Sequence, residues 1–376
     1  MIYAPNSTHD LRSPLKNWRR PRSGPYNPIK RPYSPIKRYY QIHSYIRCVS
    51  RECPIGIISF QQVEMSFCCK LTKYFTAVKK DTIEQMDDIA DSIHSYSNET
   101  VRKDLERLLE DHDDNSIPGN KFLDSFFFKY RLATKTKLNI SFYEFLNSTF
   151  YRSKPYIQKY LQNNKGTEIL KLYKAFQLYF GTVNSFKPII AKNLYYELHP
   201  TCILDFTAGW GGRCLAAMVI PSLKYIGIDT NIDLKTPYEN MLQHLDLHLP
   251  LEFSQFGLAS ERSKIIFQDA ATVDYSQLNY DMVFTSPPYY TLETYSNMPE
   301  YKSYKDWLSR FLQPVVTNSY KYMKSGFYCL NVPEKIYSDI ETMIGSCITK
   351  IPLNLKRNLK NAQAEYNEHI YVWRKI

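Results

Sequence analysis

Long apolar runs are missing from this sequence. Nowhere in its 376 residues do apolar positions approach the ~18 in succession that a helix needs to cross a bilayer. No charged segment followed by an apolar stretch opens the chain as a secretory leader would. The eight cysteines have no regular spacing, which argues against a disulfide framework. We therefore expect a protein of a reducing intracellular compartment, cytoplasm or nucleus, with room for two domains.

A recognisable metal-binding pattern is also missing. The only loose group of potential ligands is His43, Cys48, Cys53, Cys68 and Cys69. Its spacing matches none of the common zinc arrangements. We predict no metal site.

Positive charge is concentrated at the start of the chain. The net charge is +11, of which residues 1–50 carry +9 and the remaining 326 residues only +2. Within this segment Pro25–Arg31 is repeated as Pro32–Arg38, and prolines this frequent favour an extended, solvated chain. Tyrosines between Lys and Arg can stack on bases while the cations meet phosphates. We interpret residues 1–50 as a disordered basic tail that contacts nucleic acid, or else as a solubilising or localisation tail.

Residues 51–180 have mainly helical patterns. Val101, Leu105 and Leu108 recur at helical spacing. The aromatic stretch from Phe122 to Tyr130 is expected in a core. A basic and aromatic group is a better candidate for a surface that meets DNA: Tyr151, Arg152, Lys154, Pro155, Tyr156, Lys159 and Tyr160. We predict a helical domain here, with a possible role in DNA recognition.

A glycine-rich loop follows a short apolar strand that ends at Asp205. Its glycines, Gly209 and Gly211 among them, would let the backbone approach a ligand, and the helix that follows would offer free N–H groups. A second strand ends at Asp229, 24 residues after Asp205, which is about where an acid usually binds a ribose diol. A third strand ends at Asp269, which places another carboxylate on the same edge.

A strand-ending turn is the most informative stretch. The apolar run 281–284 predicts a buried strand, and Pro287 and Pro288 forbid its continuation. Ser286 and the Pro287 carbonyl could accept N–H groups of an exocyclic amine, while Tyr289 stacks on the base that bears it. The alternative is an ordinary Pro-Pro turn.

Taken in order, these segments resemble the S-adenosylmethionine-dependent DNA amino-methyltransferases, which modify cytosine N4 or adenine N6. The resemblance covers about the last 195 residues. It implies a class I methyltransferase (Rossmann-like) α/β domain at 181–376, with a seven-stranded, mostly parallel sheet and S-adenosylmethionine as cofactor. The implied cofactor-binding residues are Asp205, Phe206, Thr207, Gly209, Gly211, Asp229 and Asp269, with Lys187 and Pro188 near the methionine end. The implied catalytic residues are Ser286, Pro287, Pro288 and Tyr289.

The resemblance says less about the substrate. Ser at the position of Ser286 is commoner in cytosine-N4 enzymes, so we favour cytosine N4 over adenine N6. The expected partner is DNA, either duplex with the base flipped out or single-stranded. Three alternatives stay open: an RNA base, a protein glutamine (whose enzymes usually carry Asn at this position), and a silent subunit that binds nucleic acid without methylating it. Because the last half of the chain has no room for a separate recognition region, we expect recognition in residues 51–180, in a partner protein, or nowhere, which would leave low sequence selectivity.

Overall fold

The computed structural model describes residues 85–110, 117–290, 293–294, 298–353 and 368–376. All of them belong to one compact unit, Glu84–Ile376. The basic tail and the His/Cys group at 43–69 lie outside the described residues, so the predictions about them are not addressed below.

The described chain begins with helices, as predicted for this region. Local capping explains several of their starts: the Ser97 hydroxyl accepts from the Thr100 N–H, and Ser141 and Glu144 form a reciprocal capping box. The helices are α1 (85–93), α2 (Asn98–Leu109), α3 (Asn120–Ala133), α4 (Phe142–Asn147), α5 (Thr149–Arg152), α6 (Pro155–Asn163) and α7 (Glu168–Tyr179). No helix within the described ranges is long and apolar enough to cross a membrane.

The helices have an aromatic core of their own. Phe128, Phe142, Phe145 and Phe176 are almost fully buried together. Within the aromatic stretch 122–130, Phe122, Phe127 and Phe128 are almost fully buried, which confirms the expectation that this stretch lies in a core. Phe122 itself belongs instead to the hydrophobic core that α2 and α3 share with one face of the β-sheet described below.

Helices α2 and α3 are also attached to the rest of the molecule. Fully buried Lys192 donates to the carbonyls of Leu108, Leu109 and Glu110 at the end of α2, with distances of 2.6–3.2 Å. A cation is favourable there because the carbonyls of a helix end are unpaired and carry partial negative charge. Residues of α2 and α3 share one hydrophobic core with the sheet. The predicted domain boundary near residue 180 stays a prediction.

The sheet has seven strands, as predicted. They are β2 (Cys202–Asp205), β3 (Lys224–Asp229), β4 (Ser263–Phe267), β5 (Met282–Thr285), β7 (Gly326–Pro333), β8 (Thr349–Pro352) and β9 (Glu368–Lys375). Their order in the sheet is β4-β3-β2-β5-β7-β9-β8, and all neighbours are parallel except β9, which runs antiparallel to β7 and β8.

Both faces of the sheet are covered, as the central strand β5 shows. Met282 and Phe284 point into one core and Val283 into the other, because successive side chains of a strand alternate between faces. The first face packs against α8 (Pro188–Leu198), α9 (Gly212–Met218), α10 (Lys235–His248) and α11 (Ala259–Arg262). The second packs against α12 (Tyr304–Trp307), a π-helical turn (Leu308–Leu312), α13 (Gln313–Tyr322) and α14 (Glu334–Ile344). Short 3₁₀ turns cover Ile232–Leu234, Leu251–Phe256, Ala270–Thr272 and Tyr275–Gln277.

A two-stranded ribbon joins the helical part of the molecule, the region that contains α1 to α7, to the segment after the Pro-Pro turn. Strand β1 (Lys135–Thr136) pairs antiparallel with β6 (Glu293–Thr294). The ribbon places residues of the helical part beside the carboxyl end of β5.

Candidate active site

The glycine loop lies between β2 and α9, where close packing demands glycine. A Cβ at Gly212 would lie 2.1 Å from the backbone oxygen of Phe186, and one at Gly211 would lie 2.9 Å from the Phe127 ring. Gly211 also has a left-handed φ of 74°. The loop is therefore held between α3 and the segment that precedes α8.

Asp205 is directed inward from the end of β2. Its carboxylate accepts from the Arg213 guanidinium (2.7 and 3.2 Å) and from the Tyr225 hydroxyl (2.6 Å). Burial alone would lower the pKa of Arg213, but the Asp205 carboxylate and the Tyr225 and Tyr195 phenols together outweigh it, and the net shift is upward. Arg213 also donates to the Thr207 carbonyl, so the pair fixes both ends of the loop's first turn. Cofactor contact by Asp205 stays a prediction.

Asp229 holds the other side of the loop. Its Oδ2 accepts from the Gly209 N–H and its Oδ1 from the Asn231 N–H, each at 2.8 Å. Burial raises the pKa of this carboxyl, and the two N–H donors only partly counter that rise. Asp229 also lines the cavity described below, as a residue that binds a ribose diol must.

Asp269 lies beside it. Its carboxylate accepts from the Ala271 N–H at 2.9 Å and caps a 3₁₀ turn, while the preceding Gln268 N–H donates to the Asp229 carbonyl. The ends of β3 and β4 are thus tied together, with both acids at the sheet edge where the sequence predicted them.

The segment before α8 forms another wall. Lys187 lies at the N-cap of α8 and lines the cavity together with Phe186. Pro188 is buried behind them and lies 3.1 Å from where a Cβ on Gly119 would be. Of the two residues predicted near the methionine end, Lys187 therefore lies at the cavity and Pro188 supports it from behind.

The Pro-Pro turn is fastened to the glycine loop. The hydroxyls of Thr207 and Thr285 are 2.6 Å apart, and the Thr207 hydroxyl also contacts the Ser286 carbonyl at 3.2 Å. These contacts join the carboxyl ends of β2 and β5, which are neighbours in the sheet although about 80 residues separate them. In open α/β sheets, such an edge is where ligands bind.

The two tyrosines of the turn have different surroundings. The Tyr289 hydroxyl contacts Glu368 Oε1 at 2.7 Å, the Asn331 carbonyl at 3.0 Å and Ser286 Oγ at 3.3 Å. Tyr290 has a left-handed φ of 54°, and its ring lies near Tyr304 and Trp307 in the core on the second face. Of the two, Tyr289 is the one that lines the cavity described below. Its stacking on a substrate stays a prediction.

One cavity of about 920 Å³ joins these parts. This is the size of a pocket for a substantial ligand. The predicted residues that line it are Phe206, Thr207, Gly209, Asp229, Asp269, Lys187, Ser286, Pro287, Pro288 and Tyr289. Asp205, Gly211 and Pro188 lie behind this lining. Within the described ranges, no group of three or more His, Cys, Asp or Glu side chains is arranged to hold a metal ion.

The cavity has further walls that the motifs did not predict. Asn331 and Glu368 contribute from the end of the sheet, and Phe311 contributes from the π-helical turn. Helix α3 and the β1 ribbon contribute Arg131, Thr136 and Lys137. Tertiary packing alone brings these residues to the site, because they lie about 20 to 155 residues from the turn in the sequence.

The strand order decides the fold. Counted from β2, the sheet runs third, second, first, fourth, fifth, seventh, sixth, and only the seventh strand is antiparallel to its neighbours. The fold is that of a class I methyltransferase. In this fold the carboxyl ends of the first strands hold S-adenosylmethionine, and here those ends carry the glycine loop, Asp229 and Asp269.

Comparison with known proteins adds structural similarity alone. No family model and no curated protein matches the sequence. Among solved structures, TrmN from Thermus thermophilus is 12% identical with a TM-score of 0.33, and the match covers 51% of this chain and 50% of that one. This chain thus spans about half the length of TrmN. Precorrin-6y C5,15-methyltransferase from Geobacter metallireducens is 11% identical (TM-score 0.32, covering 49% and 84%). The methyltransferase domain of bacterial CtHen1 is 9% identical (TM-score 0.36, covering 50% and 97%). Similarities this weak carry no argument about substrate.

Proposed function

We propose that this chain is an S-adenosylmethionine-dependent methyltransferase that acts on an exocyclic amino group of a DNA base, with cytosine N4 favoured over adenine N6. The observation that carries the proposal is the shared cavity. The Ser-Pro-Pro-Tyr turn lines it beside the glycine loop and the two strand-end acids. Acceptors for an amine and a cofactor cradle therefore open into one space.

The residues present fit the cofactor. Asp229 offers carboxylate oxygens toward a ribose diol, Asp269 lies next to it, and Lys187 borders the cavity at the start of α8. Gly212 keeps the loop close to Phe186, since any side chain there would strike that residue's backbone. When bound, S-adenosylmethionine supplies a methyl group on a positively charged sulfur.

The chain's own contribution to the chemistry is positioning and electrostatics. An exocyclic amine is a poor nucleophile because its lone pair is delocalised into the ring. Ser286 Oγ and the Pro287 carbonyl accept its N–H bonds, which favours a tetrahedral nitrogen, while Tyr289 stacks on the ring. No covalent nucleophile is required. Cys329, although central in β7, is fully buried, and burial raises the pKa of its thiol.

The helical part is proposed to take part in substrate recognition. Arg131, Thr136 and Lys137 line the cavity, and β1 pairs with the segment that follows the catalytic turn. The basic and aromatic surface of α5 and α6 is a second candidate: Phe150 and Tyr156 are exposed, and the Lys154 ammonium lies 3.7 Å from the centre of the Phe150 ring. Both elements offer cations or stacking faces to nucleic acid.

The first test is transfer of labelled methyl from S-adenosylmethionine to duplex DNA, single-stranded DNA, RNA and protein, followed by mass spectrometry of the nucleosides. N4-methylcytosine or N6-methyladenine in DNA is the expected result and identifies the base. Label confined to RNA or protein would contradict the DNA proposal but would still support S-adenosylmethionine as the methyl donor. Cofactor binding without transfer to any of the four would favour the silent-subunit alternative.

The second test is Ser286→Ala, with exposed Ser338→Ala as the matched control. Loss of an acceptor that acts on the reacting amine should lower kcat about ten- to a hundredfold and leave cofactor affinity nearly unchanged. Calorimetry for S-adenosylmethionine and steady-state kinetics separate the two quantities. Equal losses in both would mean that the role of Ser286 is misassigned.

A further inference from the structure

The Tyr289 hydroxyl lies at the centre of a small group of oxygens. It is 2.7 Å from Glu368 Oε1, 3.0 Å from the Asn331 carbonyl oxygen and 3.3 Å from Ser286 Oγ. Glu368, Asn331, Ser286 and Tyr289 all line the cavity. The Glu368 carboxylate, from the start of β9, is therefore connected to Ser286 of the Pro-Pro turn through one phenol.

The sheet brings Glu368 to this position. Strand β9 runs antiparallel to β7, with Glu368 paired to Pro333, so the first residue of β9 lies at the carboxyl end of β7. That end is the edge at which the Pro-Pro turn leaves β5, because β5 and β7 are parallel neighbours. The contact joins residues 79 positions apart in the sequence.

The donors and acceptors in this group give the hydrogen bonds a direction. A carboxylate and a backbone carbonyl only accept, whereas a phenol has a single proton to donate. Because Glu368 and the Asn331 carbonyl can only accept, the phenol proton is directed to one of these two, and Glu368 is the nearer. The phenol oxygen then accepts, and the Ser286 hydroxyl donates to it. The remaining lone pairs of Ser286 Oγ are left to accept from an amine.

A serine at the first motif position needs such an arrangement more than an acid or an amide would. A carboxylate or carbonyl oxygen always presents lone pairs to an amine, but a hydroxyl can turn its proton toward the substrate and repel the N–H bonds. We propose that Glu368 is a positioning residue that, through Tyr289, keeps Ser286 an acceptor and holds the Tyr289 ring in place. The proposal rests on the proposed function, since it concerns how Ser286 meets an amino group.

A double-mutant cycle tests the proposal in the full-length chain. Glu368→Ala should lower kcat about tenfold on the methyl acceptor that the labelled-methyl experiment identifies, while the affinity for S-adenosylmethionine changes less than about twofold. Glu368→Gln, which keeps an acceptor oxygen but adds a donor, should fall between Ala and wild type. In a Tyr289→Phe background, Glu368→Ala should cost less than about twofold more, because the phenol through which it acts is gone.

A matched control is available on α14. The Tyr337 hydroxyl donates to Glu341 at 2.6 Å, the same kind of pair, away from the cavity lining. Glu341→Ala should leave kcat and cofactor affinity unchanged. Thermal unfolding of every variant shows whether a loss of kcat comes from a loss of structure.

Two outcomes would overturn the proposal. If Glu368→Ala lowered kcat by the same factor with and without the Tyr289 hydroxyl, Glu368 would act independently of the phenol. A Glu368→Ala loss that appears only in KM or in cofactor affinity would assign it to binding instead of orientation.

A further readout does not depend on methyl transfer. The Tyr289 hydroxyl proton, identified in NMR spectra by its absence in Tyr289→Phe, should resonate downfield in the wild type and move upfield in Glu368→Ala. If no substrate is methylated but this shift is seen, the proposed function fails while the hydrogen-bond arrangement stands. No shift would overturn the arrangement itself.

Discussion

Replacing Arg213 by methionine tests whether the buried ion pair behind the glycine loop holds the site together. Arg213 and Asp205 have side chains that are only 5% and 0% exposed, and the guanidinium donates to both carboxylate oxygens and to the Thr207 carbonyl. Methionine has a similar length but no donor. Arg213→Met would therefore leave a buried carboxylate without its counter-charge.

The expected cost follows from what remains bonded to Asp205. Breaking a buried pair by removing one partner typically costs about 3–5 kcal/mol. The Tyr225 hydroxyl at 2.6 Å and the Thr207 N–H at 3.3 Å still donate to the carboxylate, so we expect the lower end, about 3 kcal/mol. With a urea dependence of about 3 kcal/mol per molar, as for a larger domain, the midpoint should fall by about 1 M.

The assay is urea unfolding followed by circular dichroism, with S-adenosylmethionine affinity measured on the folded variants. Arg102→Met is the matched control, because Arg102 pairs with Glu99 and Glu106 on the surface of α2, where exposed pairs contribute about 0–1 kcal/mol. Combining Arg213→Met with Asp205→Asn removes the stranded charge and should recover part of the loss. If Arg213→Met shifted the midpoint no more than Arg102→Met does, the reasoning would be refuted.

Three further predictions address the loop, the acid and the tail. Gly212→Ala places a Cβ 2.1 Å from the Phe186 oxygen, so it should lower the free energy of unfolding by about 1–3 kcal/mol and weaken cofactor binding. Gly345→Ala, with nothing within 4 Å of its Cβ, should leave cofactor binding unchanged. Burial raises the pKa of Asp229, so this carboxylate is protonated at a higher pH than an ordinary aspartate. Because a neutral acid accepts hydrogen bonds from a diol less well, calorimetry should show the affinity for S-adenosylmethionine falling as the pH is lowered. Asp229→Asn should remove that pH dependence. Deleting residues 1–50, which carry +9, should weaken DNA binding and flatten its salt dependence, and an unchanged salt slope would remove the tail from DNA binding.

The sequence was sufficient to predict the sheet and both loops, because these depend on local patterns. Short apolar runs that end in Asp205, Asp229 and Thr285 predict parallel strands whose carboxyl ends share an edge. The mostly parallel seven-stranded sheet is confirmed. Helical spacing likewise predicted which face of α2 is buried.

Side-chain direction could not be predicted in the same way. Asp205 matches the position of a cofactor-binding acid, but Arg213 and Tyr225 hold its carboxylate on the buried side of the loop. An arginine eight residues away and a tyrosine on the next strand carry no motif that would reveal this pairing. The sequence also contained no sign of the contact between Glu368 and Tyr289, because strand register sets that contact and no motif encodes it.

The placement of the helical part bears on where substrate recognition occurs. By elimination, the sequence assigned recognition to residues 51–180, to a partner protein, or to no dedicated region at all. The described part of that region forms one wall of the cavity through Arg131, Thr136 and Lys137, and its strand β1 pairs with β6, which follows the Pro-Pro turn. A change in the ribbon would therefore alter the position of the turn as well as the contacts with substrate. For this reason, substitutions there should affect kcat together with KM, whereas substitutions on the exposed surface around Tyr156 should affect KM alone if that surface only binds nucleic acid.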